Sequence, residues 1–139
     1  MSEVRWRDIE GDVASSVEHF ANAIRIYCEP GLRADSPDGY MRRMAFMRAM
    51  YLGDTSIERA LPRMRGIMGE EKPSGRDRPV VLSACLVEAA DRVHKFRHVA
   101  AHHYDTFHPD DADPAVRAAE KLVAGLPAAF AAYRQAIDP

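Results

Sequence analysis

Between Val116 and Ile137 the apolar residues fall at Val116, Ala119, Val123, Leu126, Phe130, Tyr133 and Ile137, in strict steps of three and four. That spacing draws one apolar stripe along an α-helix, and the stripe needs a partner surface to leave water. Trp6, Ile9, Val13, Val17, Phe20, Ile24 and Tyr27 repeat the pattern near the start, and Leu82, Leu86, Ala89, Val93, Phe96 and Ala100 repeat it in a third segment. A second segment begins near Tyr40, with Tyr40, Met44, Met47 and Tyr51 on one stripe and Ile57, Leu61, Met64 and Met68 continuing it. Gly53-Asp54-Thr55-Ser56 interrupts that pattern halfway. No segment sustains the period-two alternation of a strand. The expectation is an all-α fold, an antiparallel up-and-down bundle of four to five helices in one domain spanning residues 1–139.

Helix breakers mark the joints. Pro30-Gly31 ends the first helix, and a polar loop runs through Asp35-Ser36-Pro37-Asp38-Gly39. Gly69 to Arg78, with Pro73 and Gly75, reads as the second loop, and the third helix is expected from about Val80. Asp113 before Pro114 suits an N-cap followed by proline at the first helical position. Pro62 is expected to kink the second helix or mark a restart, and Gly125 with Pro127 to bend the fourth.

Charge narrows the partners. With a net charge of -2 the whole molecule does not attract nucleic acid. Arginine is nevertheless concentrated at Arg42, Arg43, Arg48, Arg59, Arg63 and Arg65, with Arg76 and Arg78 following. A solvated helix face accounts for most of these, although guanidinium forks match phosphate geometry and a local basic surface could hold RNA. Cys28 and Cys85 lack metal-ligand spacing and are expected as small buried side chains in a reducing compartment. Met1 to Arg7 has no apolar core of a signal peptide, and charges interrupt every longer apolar run, so a cytoplasmic protein without a membrane segment is expected.

The chemistry-bearing stretch is Phe96-Arg97-His98-Val99-Ala100-Ala101-His102-His103-Tyr104-Asp105. It spells R-x4-H-x-Y with Arg97, His102 and Tyr104. A permanently charged guanidinium beside an imidazole that titrates near neutrality suits the cutting of a phosphodiester. A five-residue step turns about 140° on a regular helix, so Arg97 and His102 would diverge. Their convergence calls for a loosened helix end or a cleft built from two chains. Other roles compete. His94, His98 and His102 recur every four residues and could form a metal row, although no cysteine or glutamate completes a tight set in sequence. His98 reads as an exposed residue or a supporting partner, His103 as a packed core histidine, and Asp54 as a local kink or a polar member of the site.

The pattern resembles the signature of HepT-like ribonuclease toxins of the HEPN group. The likeness takes in Ala45-Phe46-Met47, Ser56 through Leu61 and Pro73-Ser74-Gly75-Arg76-Asp77, then Phe96-Arg97-His98-Val99 and His102-His103-Tyr104. It runs from about residue 40 to 137, and Arg78 stands after Asp77 where relatives tend to carry a bulky aromatic. The resemblance implies a metal-independent endoribonuclease without cofactor, a toxin paired with an antitoxin. It implies that Arg97 holds the scissile phosphate and His102 transfers protons. It also implies a homodimer with both motifs in one groove, and a nucleotidyltransferase antitoxin that attaches AMP to Tyr104. A non-catalytic nucleotide-binding or scaffolding partner of a nucleotidyltransferase is the alternative.

Overall fold

The computed structural model describes residues 3–71, 82–102 and 108–138, excluding the side chains of 65 and 67–71. Among the described residues there are four helices: α1 Glu3–Tyr27, α2 Pro37–Glu71, α3 Ala84–His102 and α4 Asp113–Ile137. Short 3-10 turns at Pro30–Arg33 and Pro109–Ala112 precede α2 and α4. Among the described residues there is no strand, and the all-α bundle expected from the stripes is what forms.

Pairs of residues show how the helices run. Arg63 reaches Asp12, Ser56 meets Ser15 and Phe46 packs on Tyr27, so α2 descends as α1 ascends. The Trp6 indole donates to Asp138 and the Tyr27 hydroxyl to Asp113, which makes α4 antiparallel to α1. Trp6 is fully buried against Phe130 and Tyr133, with ring centroids 6.1 and 6.4 Å away. Phe46 bridges Tyr27 and Phe96, joining the first three helices in one apolar core.

The second helix differs most from its sequence reading. Its buried stripe runs through Phe46, Met50, Gly53, Ile57, Ala60 and Met64, in steps of four and three with no break. Tyr40 is half exposed and Met44 and Tyr51 turn toward the groove with α3, while Met47 is buried in the core and also lines that groove. Gly53 is therefore a packing residue and not an interruption. A Cβ built there would lie 2.7 Å from the Phe20 ring, so only glycine lets α1 and α2 approach so closely. The Ser16 hydroxyl, fully buried, donates to the Gly53 carbonyl across 2.9 Å. Thr55 donates to the Tyr51 carbonyl one turn back, inside the unbroken helix. The helix also passes through Pro62 unbroken, and α4 through Pro127.

Several boundaries move. Ser36 accepts from the Gly39 N–H, so it caps α2 with Pro37 in the first turn, and the helix starts three residues before Tyr40. Ser83 accepts from the Leu86 N–H and starts α3 at Ala84, while Val80 lies outside the described residues, as does most of the Gly69–Arg78 loop. Asp113 is already helical and makes no cap; its carboxylate serves Tyr27 and Arg117 instead. Cys28, in the turn after α1, and Cys85, in the first turn of α3, are exposed, against the expectation of burial. Among the described residues no helix is long and apolar enough to cross a membrane.

Candidate functional site

α2 and α3 lie side by side with polar residues facing each other, at the level where Gly53 draws α2 against α1. Asp54 and Glu58 are one turn apart on α2, and His94 and Arg97 are three apart on α3, so each pair shares a helix face. Asp54 is 2 % exposed and Ser56 1 %, polar groups that burial would penalise without partners. Arg97 supplies one: a single guanidinium nitrogen donates to Asp54 across 3.2 Å and to Glu58 as well. His94 supplies another, with Nδ1 3.2 Å from Asp54 and 2.8 Å from Glu58. Ionised carboxylates only accept, so Nδ1 is the donor in both contacts.

The electrostatics follow from depth. Burial pushes the Asp54 carboxyl above its ordinary value, and the bonds from Arg97 and His94 pull it back only in part. For Arg97 desolvation works against the charge, but the Asp54 and Glu58 carboxylates outweigh it and its pKa rises. The two shifts agree once depth is considered, because the carboxylate is enclosed while the guanidinium reaches toward solvent. The fork also lies over the Tyr51 ring, 4.6 Å from the centroid, which fixes its plane.

The resulting cleft encloses about 420 Å³ between Tyr51 and Glu58 of α2 and His94, Arg97, His98, Ala101 and His102 of α3. Arg97 and His102 therefore line one depression in a single chain, despite their divergent positions on the helix. The side chains bridge part of that angle, and His102 is the last residue of α3. His98 and His102 are both exposed, with rings 4.5 Å apart, so His98 stands beside the proposed proton carrier. Tyr104 and His103 lie outside the described residues.

The histidine row splits. His94 joins Asp54 and Glu58, whose ligand atoms with its own lie within 4.8 Å of one another, a set that could hold a metal ion. The Arg97 guanidinium already places a cation among those oxygens, so the donor set is electrostatically served without a metal. Sequence reading missed Glu58 and Tyr51 as members of the site and took His94 only as part of a metal row. The Asp54–Glu58 step of four and the His94–Arg97 step of three, each placing two polar groups on one helix face, were the available signal.

A family model described as HepT-like protein matches residues 74–137. Neither the curated proteins nor the solved structures yield a match to the chain. The matched segment contains α3 with Arg97 and His102, and all of α4, but begins after the α2 residues in which a likeness was also read. Over residues 74–137 the chain is similar to the HepT-like family.

Proposed function

We propose that the protein is a toxin that cleaves RNA, an endoribonuclease that needs no metal. The observation that carries this reading is that Arg97 and His102, both in the segment similar to HepT-like proteins, line one cleft. In the reaction the 2′-oxygen attacks the adjacent phosphorus, the bond to the 5′-oxygen breaks, and a cyclic phosphate and a free 5′-hydroxyl result. The attacking hydroxyl gives up a proton and the leaving oxygen gains one, both within the reach of imidazole chemistry at neutral pH. His102, exposed at the end of α3, performs proton transfer. Arg97 uses the nitrogens that Asp54 and Glu58 leave uncommitted to hold the phosphate and balance charge on its oxygens. The need for a 2′-hydroxyl selects RNA over DNA.

A homodimer would bring two copies of the motif into one groove and supply an imidazole for each proton step. The cytoplasm is the expected compartment. A nucleotidyltransferase antitoxin that adds AMP to Tyr104 would place negative charge beside a groove that must receive phosphate.

The decisive assay is cleavage of single-stranded RNA in EDTA. Wild type should cleave, and His102→Ala should lose about 10²–10⁴-fold in rate. Arg97→Lys keeps a cation for Asp54 but loses the fork, and should also be impaired. Undiminished cleavage by His102→Ala would sink the assignment. Loss of wild-type cleavage in EDTA would favour a metal at Asp54, Glu58 and His94.

A further inference from the structure

The arginine-rich stretch sorts itself once the helices are packed. Arg42 pairs with Glu29 and Asp38, while Arg43 donates to the carbonyls of Leu32 and Ala34. Arg59 and Arg63 both turn to Asp12 on α1. These four are structural. Arg48 is different: it is exposed, has no carboxylate partner among the described residues, and lies over the Tyr51 ring at 5.5 Å. Tyr51 therefore carries two guanidinium groups, Arg48 and Arg97.

The cleft beside Arg97 also continues. A second depression of about 310 Å³ is lined by Met44, Met47, Arg48 and Ala100, and it shares Tyr51 and Ala101 with the first. Charge is unequal along this path. At the His94 end two carboxylates face one arginine, so Arg97 alone does not make that end attractive to an anion. The uncompensated positive charge lies at the other end, at Arg48.

We infer that Arg48 is a second phosphate-binding residue, holding a neighbouring phosphate of an RNA strand that runs from Arg97 and His102 past Tyr51; this rests on the ribonuclease reading. Arg48 attracts and orients the strand without taking part in proton transfer. Both forks pack on the Tyr51 ring, Arg48 at 5.5 Å and Arg97 at 4.6 Å from its centroid, and guanidinium planes match phosphate oxygens.

The test uses the full chain, a labelled single-stranded RNA oligonucleotide, and the variants Arg48→Gln and Arg48→Lys. In steady-state cleavage Arg48→Gln should raise KM about tenfold, with the loss falling on KM and not on kcat, as expected when a charge-assisted phosphate contact is removed. In binding measured on a His102→Ala background, the slope of log affinity against log salt should become shallower by about 0.7, the share of one phosphate contact on a single strand. Arg48→Lys should restore most of both. If wild type cleaves RNA but Arg48→Gln leaves KM and the salt slope unchanged, the inference fails and the ribonuclease reading stands. If wild type neither binds nor cleaves RNA, both fall.

Discussion

Arg97 on α3 donates to the buried carboxylate of Asp54 on α2 across 3.2 Å. The bond ties the permanently charged Arg97 to the most enclosed carboxylate around it among the described residues. It orients the guanidinium in advance, since one nitrogen is committed and the Tyr51 ring supports the plane. A fork that is already ordered loses less freedom when a phosphate arrives. The cleft is thus held by helices, with Tyr51, Asp54 and Glu58 on α2 and His94, Arg97 and the proposed proton carrier His102 on α3.

Asp54 should make the fold sensitive to pH in a definite direction. Its folded pKa is raised above the ordinary 3.8 by burial, so the folded state binds the proton more tightly than the unfolded chain does. Its contribution is fully present below the unfolded value and is lost as pH rises through the folded one. Wild type should therefore lose stability relative to Asp54→Asn as pH rises from about 3 to 7. Thermal unfolding of both proteins across that range checks this. A difference that grows in favour of wild type at higher pH would mean that the Arg97 and His94 bonds outweigh burial.

Gly53→Ala should destabilise the bundle by about 1–3 kcal/mol, although alanine favours helix, because the new methyl would overpack against Phe20. Phe20 is fully buried and has little room to retreat. In a Phe20→Leu background the same change should cost far less, and a double-mutant cycle by chemical denaturation would show the coupling. Equal costs in both backgrounds would separate Gly53 from Phe20.

Tyr104→Phe should keep the fold and much of the RNA cleavage, since the ring stays and only the acceptor oxygen goes. It should escape modification by a cognate nucleotidyltransferase. Incubation with that enzyme and ATP followed by intact-mass spectrometry should show AMP additions on wild type alone. The same additions on the variant would place the modification elsewhere and leave Tyr104 without the proposed role.

The apolar stripes of α1, α3 and α4 were legible in the sequence because each helix has one dominant buried face, and a three-four step records it directly. Trp6, Val93 and Phe130 needed no tertiary knowledge to be assigned to the core. The second helix resisted because it has two faces in use. Met47, Ile57 and Met64 are core residues, as their spacing predicts, but Met44 and Tyr51 line the groove with α3, and the core line from Phe46 and Met50 to Ile57 passes through a glycine that no hydrophobic pattern counts. R-x4-H was visible as composition and spacing, and so were Arg97 and His102. The rest of the site depended on bringing α2 beside α3: Asp54 and Glu58 are about forty residues from Arg97, and only packing made them its partners. The arginine cluster shows the same division. Sequence placed Arg42, Arg43, Arg48, Arg59 and Arg63 together, and tertiary structure gave four of them internal partners and left Arg48 facing the groove, because a helix sends neighbours in sequence to different sides.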